Sequence, residues 1–265
     1  IAVPSFLGLK QIIDYPIKEI KKYIDWTFFF SAWEMRGSYP KILNDPVRGK
    51  VARELFENAN KLLDEIIGGK LLQANVAYGF WHANSVKDDI VLYKNEERAD
   101  ELVKFNMLRQ QKIKKGITLS LSDFIAPKDS KINDHIGAFA VTAGINAKKL
   151  SEKYENENDD YNSIMVKAIA DRLAEALAEL MHQRVRKEWG FPDKTNITNQ
   201  YLIKEKYRGI RPAFGYPACP NHEEKIKLFK ILEAHKINMK LTENYSMLPA
   251  ASVSGLYFAN KKSKY

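Results

Sequence analysis

The chain has 265 residues, with 42 lysines and arginines against 33 aspartates and glutamates, a formal charge of +9, and one cysteine. A single cysteine excludes an internal disulfide and a cysteine-only metal cluster, which agrees with a reducing cytoplasm. With 45% hydrophobic and 28% charged residues the composition excludes a disordered chain, and no apolar run approaches the ~18 residues that span a bilayer. The length fits one large domain or two small ones, and the positive surface suits an acidic protein or a nucleic acid. No charged leader followed by an apolar run is present at Ile1, so no signal peptide is expected and the sequence reads as a piece of a longer chain.

Residues 1–24 predict an extended, proline-punctuated start and a short amphipathic segment, Ile17 to Ile24. Asp25 then precedes Trp26-Thr27-Phe28-Phe29-Phe30, where it either caps a helical turn or stands at the edge of the core. Asp45-Pro46 opens a predicted helix in which Val51, Leu55, Ala59, Leu62, Leu63 and Ile66 recur at helical spacing until Gly68-Gly69. Val76 to His82 and Ile90 to Tyr93 predict two antiparallel strands joined by a polar turn from Ala83 to Asp89. His82 has no second histidine at ligand spacing, so it reads as an edge or core residue rather than a metal ligand.

The charged stretch from Asn95 to Gln111 predicts a helix with a solvated face, ending in the cationic Lys112-Ile113-Lys114-Lys115-Gly116. Leu119, Leu121, Phe124 and Ile125, stopping at Pro127, and Ile136 to Gly144 are both assigned to the sheet, with Gly137 permitting close backbone approach. No GxGxxG pattern follows a strand, which excludes a dinucleotide fold. An acidic run from Asn156 to Asp160 precedes a long helix, Tyr161 to Trp189, whose core stripe is Val166, Ile169, Ala170, Leu173, Leu177 and Leu180. Glu175 lies opposite that stripe, and Ala168, Ala174, Ala176 and Ala178 leave room for something to approach the second face.

Arg211 to His222 contains three prolines and Gly215, so it is neither helix nor central strand but a rigid loop. It carries one cation and two aromatics, which suits either a wall beside an anionic small ligand or an ordinary connection. Cys219 could be a nucleophile, but no base is arranged for it, and packing is the reading adopted. Glu205 and Tyr207 stand just ahead of the loop, where Glu205 supplies a second acidic wall. Asn221 and Glu224 resemble a capping box for a helix from His222 to His235. Met239 to Thr242 and Ser252 to Ala259 predict edge strands before the basic Lys261-Lys262-Ser263-Lys264-Tyr265 end.

The string RPAFGYPACPNHEEK resembles the RPxxGYPACPxHxEK signature of the activation domain of cobalamin-dependent methionine synthase. Similar runs are Tyr23-Ile24-Asp25-Trp26-Thr27, MVKAIADRLAEALAE with RVRK, Lys240-Leu241-Thr242-Glu243 and Ser252-Val253-Ser254-Gly255. The chain differs from that family at Phe214, where proline is common, and at Leu256, where tryptophan is common; neither change removes a charge, so both bear on packing. The resemblance implies a domain spanning 1–265 that binds S-adenosylmethionine and takes part in methionine biosynthesis as part of a cytoplasmic methyltransferase. It implies that Asp25, Glu175 and Tyr265 lie at the ligand, beside Glu205 and the signature's Arg211, Gly215 and Tyr216. Arg211 would pair bidentately with the ligand carboxylate.

In such an enzyme the methyl donor restores cobalamin held by a neighbouring domain after an electron arrives from flavodoxin or an equivalent reductase. Zinc would belong to a homocysteine domain absent from this sequence. The isolated domain would bind the donor without turnover, and neither nucleic acid nor membrane is expected as a partner. The competing reading is a basic interaction module, binding RNA or an acidic protein through Lys112–Lys115 and Lys261–Lys264, although no RNP, KH or zinc-finger pattern is present. The fold expected is a single α+β domain, with a twisted antiparallel sheet, flanking helices and one long helix, not a Rossmann methyltransferase.

Overall fold

In the computed structural model, which describes residues 1–111, 118–194 and 197–264, the chain is organised around two long strands, β2 (Gln73–Val86) and β5 (Asp134–Ile145), paired antiparallel at the centre of one sheet. On the far side of β2, β1 (Gly8–Ile12) pairs with residues 76–80 and β3 (Asp89–Tyr93) with residues 82–86, so one long strand carries two short neighbours end to end. The order is β4-β3-β2-β5-β8, with β4 at Glu101–Asn106 and β8 at Ser252–Tyr257, and every neighbouring pair is antiparallel. A separate two-stranded sheet pairs β6 (Lys240–Leu241) with β7 (Met247–Leu248).

Both faces of the central strands are covered, and the period-two alternation divides their side chains between two cores. Val76, Tyr78, Phe80, Phe139 and Val141 join the core beneath the helices, and Ala77, Trp81, Ile136, Ala138 and Ala140 join the opposite one. The first core is filled by α1 (Ile17–Ile20), α2 (Trp26–Ala32), α3 (Gly49–Gly68) and α5 (Asp160–Glu188). Asp159 caps α5 by accepting from the Asn162 amide at 2.9 Å, so the acidic run does meet the positive helix end. Gly137 lets Tyr257 of β8 and Trp189, the residue after α5, pack tightly on β5: a Cβ there would lie 3.0 Å from Tyr257 Cβ and 3.3 Å from the Trp189 ring, so those side chains would have to yield slightly. The described chain is thus a single α+β domain, with α4 (Ala147–Asn156), α6 (Asn199–Ile203) and α7 (Glu224–Ile231) completing its seven described α-helices.

Several expectations are corrected. The Asn95–Gln111 stretch is not a helix: Glu101–Asn106 forms the edge strand β4, because Val103 and Phe105 alternate toward the second core while Glu101, Lys104 and Asn106 stay exposed. Charged residues there protect an edge. The strand expected to stop at His82 continues to Val86, since Ala83, Asn84 and Ser85 are buried and paired, and the turn shrinks to Lys87-Asp88. Leu121–Phe124 is a 3-10 turn capped by Ser120 and Asp123 rather than a strand. Helix α3 begins at Gly49, not at Asp45-Pro46; the Asp45 carboxylate instead accepts from the Val47 and Arg48 amides.

No capping box forms at Asn221 and Glu224 either. Asn221 accepts from the Glu223 amide, while Glu224 is buried against the Asn106 amide and Lys227, so α7 starts at Glu224 and ends at Ile231. The Lys112–Lys115 cluster lies outside the described residues.

Candidate functional site

The signature loop is fastened to the edge of β8. Ile210 and Phe258 exchange backbone hydrogen bonds at 3.2 and 3.0 Å, and the Leu256 amide donates to Pro212 O at 3.0 Å. Beyond that clamp the chain turns back on itself: the Gly215 amide donates to Cys219 O, and the Cys219 amide to Tyr216 O, each at 2.9 Å. Gly215 takes φ +99°, which favours glycine, and a Cβ there would fall 2.2 Å from His222 Cε1, so the exposed His222 ring would have to swing aside. Phe214 is buried and stacks on Phe105 with centroids 5.5 Å apart, and Leu256 is buried in the same second core, so both departures from the family's pattern are absorbed by packing.

Cys219 is buried and its Sγ donates to Ala213 O at 3.0 Å; burial pushes its pKa up to about 12, which removes the nucleophile reading. His82 is half-buried and faces His135 across β2 and β5, with ring centroids 5.3 Å apart.

Two cavities open beside the loop. The smaller, of about 420 Å³, is lined by Tyr23, Asp25 and Phe28 from the first segment, Arg172, Glu175, Ala176 and Glu179 from α5, and Ile203, Glu205 and Arg211. A larger cavity of about 790 Å³ runs along the loop past Pro212, Ala213, Tyr216, Pro217 and Ala218, with Leu108 to Gln111 and Lys264 on its other walls. Glu175, Glu205 and Arg211 line both. Four of the expected residues therefore converge, although they are up to 186 positions apart in sequence, from Asp25 to Arg211. Tyr216 lies in the larger cavity with its side chain exposed; Gly215 lines neither and shapes the loop behind them. Tyr265 falls outside the described residues.

Each side chain has a local cause for its placement. Asp25 is the N-cap of α2 and accepts from the Thr27 amide at 2.9 Å, so the capping reading and the pocket reading hold together. Glu205 has φ +47°, which turns the chain sharply after α6 toward the loop. On α5, Arg172, Glu175 and Glu179 stand at spacings of three and four and share one face. Solvent reaches Glu175 through the cavity mouth, yet desolvation raises its pKa, with Arg172 and Arg211 opposing. Glu179 is buried, and its pKa is also raised by burial against the pull of Arg211 and Arg186. The smaller cavity carries four carboxylates, Asp25, Glu175, Glu179 and Glu205, against two guanidiniums, a formal excess of two negative charges.

Sequence reasoning missed Arg172 and Glu179. The three-and-four spacing around Glu175 was the available signal. One turn further along the helix, His182 is 2% exposed and stacks on Tyr257 with centroids 5.1 Å apart. The alanine-rich second face is indeed approached: Ala174, Ala176 and Ala178 are all buried.

The family model for vitamin B12 dependent methionine synthase, activation domain, matches residues 16–265. The chain belongs to that family. Among solved structures, a crystal structure of the MetH reactivation domain bound to AdoHcy (S-adenosylhomocysteine) is 48% identical in sequence, covers 100% of this chain and 82% of its own, and superposes with a TM-score of 0.97. Membership makes this a domain of a cobalamin-dependent methyltransferase and makes the cobalamin-bearing domain of such an enzyme its partner. Among the described residues no helix is long and apolar enough to cross a membrane.

Proposed function

We propose that this chain is the reactivation module of a cobalamin-dependent methionine synthase, one domain of a longer enzyme, and that the joined cavities hold S-adenosylmethionine. The observation that carries this reading is the smaller cavity, where the guanidiniums of Arg172 and Arg211 stand among four carboxylates. A methyl donor with one carboxylate, an ammonium and a sulfonium has the complementary pattern: one anionic end and a net positive charge. Arg211 receives the carboxylate. Asp25 and Glu175 face the cationic part, and the excess negative charge favours the charged donor over its neutral product. The larger, more apolar cavity accepts the adenosine side, with Tyr216 at its rim. The neighbour's bound AdoHcy supports a ligand of this class.

The methyl acceptor is the reduced cobalamin carried by the neighbouring domain, so the chemistry proceeds at an interface. This chain binds and orients the donor and supplies no general base. Flavodoxin or an equivalent reductase delivers the electron, drawn by the +9 charge if its own surface is acidic. The whole enzyme is a 5-methyltetrahydrofolate–homocysteine methyltransferase of the cytoplasm. Methylcobalamin formation, followed spectroscopically with a chemical reductant, should require both this domain and the cobalamin domain, while calorimetric binding of S-adenosylmethionine should need this domain alone. Absence of calorimetric binding, or methylation by this domain without any cobalamin, would refute the assignment.

A further inference from the structure

Behind the cavity wall lies a stack of buried polar side chains. At its base, Arg186 is fully buried and forks onto Asp193, Nε to Oδ1 at 2.9 Å and Nη2 to Oδ2 at 2.6 Å. The Arg186 guanidinium covers the Tyr207 ring at 3.8 Å from its centroid, which fixes that ring from below. The Tyr207 hydroxyl donates to Glu179 Oε2 at 3.2 Å and accepts from Arg211 Nη1. Glu179 Oε2 is 2.7 Å from Arg211 Nη1, and His182 Nδ1 is 3.3 Å from the same nitrogen. Burial, with Arg211 and Arg186 close by, lowers the His182 pKa well below the usual imidazole range, so the ring is neutral and can accept.

Three groups thus meet at one nitrogen of a guanidinium that lines both cavities. Carried on three methylenes, an arginine otherwise loses considerable rotamer freedom when a ligand immobilises it. Contacts that exist before the ligand arrives remove that cost from binding. The backbone is held as well, since Pro212 O accepts from Leu256.

We infer that Glu179, assisted by Tyr207, is a positioning residue that aims the Arg211 guanidinium at the carboxylate of the ligand. This rests on the proposed donor site and on Arg211 as the group that meets the carboxylate. Glu179 also lines the smaller cavity, so direct contact with the ligand is the rival reading, and a mutant cycle separates the two.

The experiment is calorimetry on Glu179→Gln, Arg211→Ala and their double variant, using S-adenosylhomocysteine and 5′-methylthioadenosine, which has the adenosine and sulfur but no amino-acid tail. Glu179→Gln should weaken S-adenosylhomocysteine by about tenfold, the scale of one charge-assisted hydrogen bond, and leave 5′-methylthioadenosine within about twofold. The double variant should bind no worse than Arg211→Ala. Tyr207→Phe, which keeps the ring against Arg186, should give the same selective loss at about threefold and serves if Glu179→Gln folds poorly.

Wild-type affinity in both Glu179→Gln and Tyr207→Phe, beside a large loss in Arg211→Ala, would overturn the positioning role alone. Equal loss of both ligands would make Glu179 a structural support, and undiminished loss in the Arg211→Ala background would make it a direct contact; either result overturns the inference. Unchanged affinity in Arg211→Ala would bring down the carboxylate reading and this inference with it.

Discussion

Replacing Asp25 by asparagine separates two roles that the structure joins in one side chain. Asp25 caps α2 through the Thr27 amide at 2.9 Å and also lines the smaller cavity. Asparagine caps a helix about as well as aspartate, so Asp25→Asn should leave the melting temperature nearly unchanged, while Asp25→Ala should lose the ~1 kcal/mol of a missing cap. What asparagine removes is one of four carboxylates facing two guanidiniums. At ~8 Å and an effective dielectric near ~20, one unit charge acts on a sulfonium with about 2 kcal/mol. Solvent entering an open cavity reduces this to on the order of 1 kcal/mol, about fivefold in affinity. Calorimetry should therefore show S-adenosylmethionine weakened about fivefold and S-adenosylhomocysteine, whose sulfur is neutral, within about twofold. An equal loss for both ligands would show that Asp25 does not sense the sulfonium. Unaltered binding of both would leave Asp25 only its capping role and refute the electrostatic argument.

Gly215→Ala should lower stability by about 1–2 kcal/mol, because φ +99° is unfavourable for any residue with a Cβ. Since His222 is exposed and its ring can swing aside from the added methyl, most of the loss should persist in Gly215→Ala combined with His222→Ala; full recovery of the urea midpoint in that double variant would assign the cost to the clash instead. Burial of His135, reinforced by His82 and Arg98, lowers its pKa from 6.5 to about 4. Below pH ~6.5 the unfolded chain takes up a proton that the folded chain refuses, so this contribution to stability is intact above that pH and is lost progressively down to about 4, by on the order of 2–3 kcal/mol. The raised carboxyls of Glu175 and Glu179 act in the opposite sense, so the measurement is the difference between wild type and His135→Gln in urea midpoints at pH 7 and 5; an identical acid slope in both would rule out the His135 contribution.

Local patterns in the sequence determined the long helix, since Val166, Ile169, Leu173 and Leu177 recur at its period and the acidic run at 156–160 marks its positive end. They determined the central strand β5 and the rigidity of the signature loop, where prolines and Gly215 leave few conformations open. The signature and its companion runs also placed the chain in its family and named Asp25, Glu175 and Arg211 before any of them could be seen together. Tertiary structure alone decided that Glu101–Asn106 is a strand, because its charges are tolerable only on an edge and Phe105 is buried in the second core, where it stacks on Phe214 more than a hundred residues away. It also decided that α5 is buried all round from Ala176 to His182. Glu179, His182 and Arg186 look like a solvated stripe along the helix, and only Tyr207, Asp193, Arg211 and Tyr257, brought from other segments, supply the hydrogen bonds, ion pairs and stacking that let them leave water.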